Sequence, residues 1–325
     1  MKIIEKIEKE ILKREIRYEE ALELSKIENK DIFKLIDISF KLNQRLNKTI
    51  HVCSILNAKS GLCPQNCSYC AQSMYHKTDI NTYGLLEEEE IIRQAEKVYS
   101  VGVRHFGIVT SGYGYKKPDE EFNKIIRAIK TLKSKFPDLD VCASLGILSE
   151  ETAKILFDAG IVEYNHNLQV NPDKYRELIA DTHSVEERIN TIKILKKYPI
   201  RICSGCIIGL GETMEDRIKL AFLLKEIDAD IIPINVLIPI KGTRLENQKP
   251  ISALEVVKTF AIYRIILKNK TIKFAAGRET IMKDFQGLIM LAGANGILTG
   301  GYLTTRGRNP EDDLKLIEEL DEFKK

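Results

Sequence analysis

The chain begins with apolar residues set at three- and four-residue intervals in a charged background. Between residues 2 and 46, isoleucine and leucine recur this way among lysine and glutamate, in IEKIEKEILKR and DIFKLIDISFKLNQRL. The spacing predicts helices. From Thr49 onward the pattern changes to short β-branched runs alternating with amphipathic stretches. The runs predict strands over 51–57, 104–110, 140–145, 162–166, 200–208, 231–237, 271–275 and 294–298. Between them lie helical patterns such as EEEEIIRQAEKVY, DEEFNKIIRAIKTLKS, SEETAKILFDAG, SVEERINTIKILKKY, TMEDRIKLAFLLKEI and ALEVVKTFAIYRIILK. Repeated strand-then-helix units predict an α/β fold, a (β/α)8 TIM-type barrel with an N-terminal helical extension. Strands buried on both faces read as apolar runs, and IIPINVLIP does. No repeat, Ser/Gly linker or low-complexity tract divides the chain. We therefore expect an N-terminal helical cap over 1–48 and a single barrel domain with its C-terminal segment over 49–325.

Composition narrows the class. The chain has 325 residues, 44% of them hydrophobic, enough for a large core. Its net charge is +3, with both signs interleaved on the helices. That balance gives no case for nucleic acid or a membrane surface as partner. No apolar run reaches the roughly 18 residues of a membrane span. The first stretch is charged and lacks an apolar secretion core. A cytoplasmic location is the expectation. The seven cysteines then read as reduced thiols or metal ligands, not as a disulfide frame.

Three of them fall in one loop, NAKSGLCPQNCSYCAQS, directly after the first expected strand. Cys63, Cys67 and Cys70 are spaced C-x3-C-x2-C. Thiolates favour zinc and iron–sulfur clusters. Structural zinc normally takes four protein ligands, and this loop offers three thiolates; the only close histidine is His76. Three thiolates on a 4Fe-4S cubane leave one iron open, and that iron can hold the amino and carboxylate groups of S-adenosylmethionine. Reductive cleavage of the sulfonium then releases a 5′-deoxyadenosyl radical. Zinc and a plain electron-transfer cluster are the competing readings of the loop. Tyr69, between the last two cysteines, is placed to stack on adenine or simply to pack.

With this loop, LGILSEE, YNHNL, CSGCIIGLGET, PINVLIPIKGT, AAGRE, AGANGI and YLTTRGRNPEDD follow in order from about Asn57 to about Leu320. Together they resemble the biotin synthase family of radical S-adenosylmethionine enzymes. The resemblance implies a barrel and sulfur insertion into dethiobiotin to close the ring of biotin. It implies two hydrogen abstractions, each consuming one S-adenosylmethionine, with sulfur from a second, auxiliary cluster deeper in the barrel. It also implies an electron donor such as flavodoxin or ferredoxin, and a homodimer. Such machinery suits the chemistry, because the hydrogens to be replaced sit on saturated carbons that no side-chain base can deprotonate.

The resemblance assigns roles residue by residue. Asn167 in YNHNL would touch substrate or the cosubstrate's ribose; its other reading is a turn residue. Arg188 in VEERIN would pair with the methionine carboxylate, which a guanidinium fits; its other reading is a surface helix charge. Asn235 in PINVL would bond the substrate ring or ribose, and a buried polar group in an apolar strand needs a partner in any case. Gly209, Gly211 and Glu212 in GLGET would line the adenine, or merely form a tight turn. Two places after Asn167, where the family often has an acidic or small amide residue, this chain has Gln169.

The auxiliary cluster is where the chain departs from the family. The family pattern has three cysteines and an arginine. Cys142, Cys203 and Arg278 match three of these ligands, but the position on the second strand is Gly107, which has no side chain. Cys53 on the adjacent first strand and Cys206, three places after Cys203, are extra. The expectation is that Cys53 replaces the missing ligand, with Cys206 a further candidate. The cluster would then be richer in thiolate than the family's usual form, either 2Fe-2S or a larger four-iron cluster. In a regular strand Cys203 and Cys206 face opposite sides. Rival readings are a radical S-adenosylmethionine enzyme of the hydrogenase-cofactor or methylornithine type, a non-catalytic cluster carrier or zinc protein, and an ordinary barrel lyase or aldolase.

Overall fold

The computed structural model describes residues 2–28, 30–47, 49–305 and 307–322. Met1 and Lys48, at the ends of the expected cap, and Arg306 of YLTTRGRNPEDD lie outside the described residues. Eight parallel strands form a closed barrel: β1 His51–Lys59, β2 His105–Thr110, β3 Asp140–Ser144, β4 Glu163–Asn165, β5 in two pieces (Arg201–Cys203 and Cys206–Ile208), β6 Ile231–Val236, β7 Thr271–Phe274 and β8 Gly296–Thr299. Each pairs with its sequence neighbour, and β8 returns to β1 with His51 opposite Gly296 and Cys53 opposite Leu298. The expected (β/α)8 barrel is the observed fold.

Helices α4 Glu88–Ser100, α5 Glu120–Lys135, α6 Glu150–Ala159, α7 Val185–Leu195, α8 Met214–Glu226 and α9 Ala253–Leu267 cover the outside of the barrel. Several begin where the sequence places an N-cap. The side chains of Asp119, Ser149, Ser184, Thr213 and Ser252 each accept a hydrogen bond from a first-turn N–H. Before the barrel come α1 Lys2–Glu10, α2 Tyr18–Ser25 and α3 Asp31–Leu46; after β7 come α10 Gln286–Leu291 and α11 Pro310–Glu322. Helix α3 packs on α9 and α10, and α2 packs on α8. Asn43 Nδ2 donates to the Ala294 carbonyl at 3.1 Å and Asn47 Nδ2 to the Lys268 carbonyl at 3.0 Å. Ile7, Leu24, Leu35 and Leu42 share one apolar core with the barrel. The N-terminal helices thus flank the outer layer and the feet of the strands.

The one expected strand that the structure breaks is 200–208. Ser204 and Gly205 separate its two halves. A side chain at Gly205 would lie 1.9 Å from the Pro233 carbonyl oxygen, so only glycine lets β6 approach this closely. Into the gap come the residues after β4. Gly205 N–H donates to Asn167 Oδ1 at 3.0 Å, and Gln169 N–H donates to the Gly205 carbonyl at 3.0 Å.

Candidate active site

The C-terminal ends of the strands open into a cavity of about 380 Å³ that runs down into the barrel. This is the usual position of a barrel's site, and the volume suits small-molecule ligands. Both sets of cysteines line it. Cys63, Cys67 and Cys70 come from the loop after β1, and Cys53, Cys142 and Cys203 from β1, β3 and β5.

The upper loop is held by its own backbone. Cys63 N–H donates to the Gln72 carbonyl at 3.0 Å, Met74 N–H to the Cys63 carbonyl at 2.9 Å, and Cys70 N–H to the Cys67 carbonyl at 3.0 Å. Burial pushes the Cys67 thiol up to about 11 and the Cys70 thiol up to about 12. Thiolate therefore forms here only against a cationic partner, which is what a metal centre provides. Among the described residues, the one set of three ligand atoms within 4.8 Å of one another is His51, His105 and Glu163. Neither cysteine trio closes to the spacing of a single tetrahedral ion, with its Zn–S bonds of about 2.3 Å. The loop fits a cluster better than zinc.

Arg188 projects from α7 into the cavity beside this loop. It donates to Tyr175 Oη at 2.6 Å, to the Asn167 carbonyl at 2.9 Å and to His183 Nε2 at 3.3 Å. Burial, then the guanidinium, lowers His183 to about 4, so it is a neutral acceptor. All three partners are uncharged. A largely buried guanidinium with no carboxylate beside it is prepared to receive one from a ligand. Tyr69 lies in the same wall, its Oη accepting from Gln169 Nε2 at 2.8 Å. Gln169 Oε1 is buried without a partner, an acceptor left over in the cavity.

Asn167 and Asn235 both line the cavity. Much of their hydrogen bonding is internal. Asn167 Oδ1 accepts from Gly205, and Asn235 bridges strands, donating to the Cys206 carbonyl at 3.0 Å and accepting from Ala276 N–H at 3.1 Å. Asn235 thus fixes the rim of β5, β6 and β7 and keeps one amide N–H for a ligand.

Three expected assignments need correction. Gly209 and Glu212 do not reach the cavity wall. Glu212 turns back on its own loop, accepting from the N–H groups of Gly209 at 2.8 Å and Leu210 at 2.7 Å and from Arg217 Nε at 2.7 Å. Gly209 takes φ +93°, which the turn requires. GLGET is a strand-to-helix turn with a buried ion pair. Glu212→Ala is expected to destabilise the fold by about 1–3 kcal/mol, because it leaves the Gly209 and Leu210 N–H groups without their acceptor, while Arg217 keeps Glu255 at 2.8 Å as its carboxylate partner. The affinity for S-adenosylmethionine should stay unchanged; urea unfolding and a binding titration check the two halves.

Cys206 lies on the outside of β5, with Tyr263 Oη 3.8 Å from its sulfur, and does not line the cavity. The break at Ser204–Gly205 preserves the opposite facing of Cys203 and Cys206. Arg278 lies beyond the end of β7 in a single π turn and forms a buried bidentate pair with Asp313 of α11 at 2.8 and 2.6 Å. Both residues are therefore removed from the auxiliary group.

The inward residue of β7 is Lys273, which the sequence reading missed. Its Nζ lies 3.1 Å from Cys53 Sγ in the cavity wall. Burial opposes the Cys53 thiolate, yet Lys273 and His51 hold the thiol below its ordinary value. Burial pushes Cys203 up to about 12, and its sulfur accepts from Asn165 Nδ2 at 3.2 Å. Gly107 stands opposite Ile55 and Cys142 in the ladder, where a Cβ would meet Cys142 Cβ at 3.9 Å. The signals were present: a lysine inside TIKF and a glutamate opening EYN, each a charge in a strand buried on both faces. Glu163 lines the same end of the cavity.

Comparison with known proteins agrees with this architecture. The model of the radical SAM superfamily matches residues 59–224, and that of the biotin and thiamin synthesis associated domain matches 233–322. A protein of Pelodictyon phaeoclathratiforme named biotin synthase is 52% identical over 310 residues, covering 94% of this chain and 92% of its own length. The biotin synthase of Chlorobium luteolum is also 52% identical, over 306 residues, covering 94% and 92%. Among solved structures, methylornithine synthase PylB superposes with TM-score 0.82 at 18% identity, covering 99% of this chain and 96% of that one. The hydrogenase maturase HydG from Carboxydothermus hydrogenoformans gives TM-score 0.78 at 18% identity, covering 98% and 78%. At that identity the two structures show the fold alone. Among the described residues, no helix is long and apolar enough to cross a membrane.

Proposed function

From the premise that this chain belongs to the biotin synthase family of radical S-adenosylmethionine enzymes, we propose how its residues divide the work. The enzyme converts dethiobiotin to biotin with a 4Fe-4S cluster and S-adenosylmethionine. Cys63, Cys67 and Cys70 hold that cluster. When bound, cluster and cosubstrate supply the carbon radical that takes hydrogen from a saturated carbon. Arg188 binds the methionine carboxylate, and Tyr69 and Gln169 meet the nucleoside. Asn167 and Asn235 bind dethiobiotin or the ribose at the rim. The apolar wall of Ile207, Leu237 and Ile238 keeps water from the reacting centre. An external one-electron donor, flavodoxin or ferredoxin by class, completes the reaction.

One observation carries this reading: two cysteine trios open into a single cavity, one at its mouth and one within the barrel. A substrate between them has a hydrogen-abstracting group on one side and a sulfur source on the other. The test is anaerobic turnover with dethiobiotin, S-adenosylmethionine and a chemical reductant, assayed for both 5′-deoxyadenosine and biotin. Cleavage of the cosubstrate without biotin would leave the chemistry and discard the substrate.

The lower trio is our candidate for the auxiliary cluster, with Cys53 standing in for the ligand that Gly107 cannot provide. Lys273 supports that assignment, because its ammonium offsets thiolate charge in a dry interior. With Cys206 turned away the set has three thiolates, the same number as the family pattern, so a 2Fe-2S and a four-iron cluster both fit it. Cys53→Ala, reconstituted anaerobically, is expected to lose most auxiliary iron and sulfide and to make little biotin while still cleaving S-adenosylmethionine. An unchanged iron and sulfide content would remove Cys53 from the ligand set.

A further inference from the structure

Three thiolates leave one corner of a cluster without a cysteine, and Arg278 and Cys206 are turned away from it. Lys273 is a poor choice, since an ammonium has donors but no lone pair for iron. Asn165 donates its Nδ2 to Cys203 Sγ at 3.2 Å, and its Oδ1 accepts from Ser144 Oγ at 3.4 Å. Glu163 remains. It opens β4, pairs in register with Cys142 across the β3–β4 ladder, and lines the same end of the cavity as the three thiols.

The state of its carboxylate is unusual. Glu163 is 3% exposed, and its Oε2 has no hydrogen-bond partner. Three cationic or potentially cationic groups surround it without touching. Lys273 Nζ is 3.8 Å from Oε1, and Arg201 Nη2 and His51 Nε2 are each 3.7 Å from Oε2. A carboxylate withdrawn from water is ordinarily tied by short hydrogen bonds or bound to metal. Here the surrounding charge stabilises the anion while a lone pair stays unused. His51 and His105 stand behind it with ligand nitrogens within 4.8 Å, but neither lines the cavity.

Resting on the reading that an auxiliary cluster sits at this end, we propose that Glu163 is its fourth protein ligand, one carboxylate beside the thiolates of Cys53, Cys142 and Cys203. Oxygen is a harder ligand than sulfur, so this corner holds its iron less firmly than the other three. The weakest corner of the sulfur source then lies at the floor of the cavity, beside Lys273.

The test compares Glu163→Gln and Glu163→Cys with the wild-type enzyme, all reconstituted anaerobically. Iron and acid-labile sulfide per chain, Mössbauer spectra and iron loss to a chelator are measured. Cys142→Ala and Cys203→Ala serve as controls, and circular dichroism reports the fold. Glu163→Gln should lose auxiliary iron. Glu163→Cys should regain it, with altered Mössbauer parameters and slower loss to the chelator than wild type. A purely structural role for the ion pairs predicts that cysteine does no better than glutamine, and that result overturns the inference. So does a Glu163→Gln enzyme with wild-type iron and spectrum while the cysteine controls lose their cluster; the auxiliary-cluster reading would then survive. If both cysteine controls keep all their iron, that reading itself fails. Loss of a single metal ion from Glu163→Gln with both the sulfide and the cluster's Mössbauer spectrum unchanged would instead mark a mononuclear site with His51 and His105, and would also overturn it.

Discussion

Cys67→Ala is expected to leave the upper loop without its four-iron cluster and to slow cleavage of S-adenosylmethionine by at least about a thousandfold, since no side chain can replace the radical chemistry. Cys67 is buried, with its sulfur 4.0 Å from His183 Nε2. Alanine removes the sulfur but keeps the backbone bonds that shape the loop, including Cys70 N–H to the Cys67 carbonyl at 3.0 Å. The fold should therefore persist while the cluster is lost. Cys67→Ser should fail too, because an alcohol is a harder and far less acidic ligand than a thiol. Iron analysis, circular dichroism and chromatographic assay of 5′-deoxyadenosine under anaerobic conditions check this. A variant that keeps both full iron and cleavage would break the assignment of the loop.

Arg188→Leu is expected to weaken S-adenosylmethionine binding by about 2–5 kcal/mol, roughly 30- to 5000-fold in Kd, the range for truncating one partner of a buried charge pair. The guanidinium has only neutral protein partners, Tyr175, the Asn167 carbonyl and His183. Its counter-charge must come from the ligand. Leucine removes the charge while leaving the cluster loop intact, so iron content should not change. Lysine should rescue poorly, since it lacks the planar fork that matches a carboxylate. An equilibrium titration of the reconstituted enzyme reads the effect. Equal affinity in the variant would place the methionine carboxylate elsewhere.

These expectations draw on a sequence in which much was legible. Strand positions came from local pattern, since a barrel strand buried on both faces must be apolar whatever its neighbours. Seven of the eight expected strands appear unbroken, with ends shifted by up to two residues. The exception, at Ser204–Gly205, arises from a close approach to Pro233, a contact between segments distant in sequence. The loop of Cys63, Cys67 and Cys70 was legible for a related reason. Its three thiols lie within one short segment, so their spacing already carries the chemistry.

The errors share a cause. Arg278 and Lys273 lie five residues apart around the end of one strand, and motif matching favoured the arginine. Which one faces inward depends on where β7 stops and on Asp313 of α11, which captures Arg278. Glu212 looked like a ligand-binding carboxylate until Arg217 and its own turn were seen to occupy it. Glu163 shows in the sequence only as a charge in a strand buried on both faces, and what that charge faces depends on neighbours from other strands. The sequence alone determined the barrel, through periodicity, the three-cysteine loop, through local spacing, and the family, through motifs that follow in order along the chain. Only the tertiary structure decided which charged side chains face the cavity, because that choice is made by partners from other strands and helices that compete for each group.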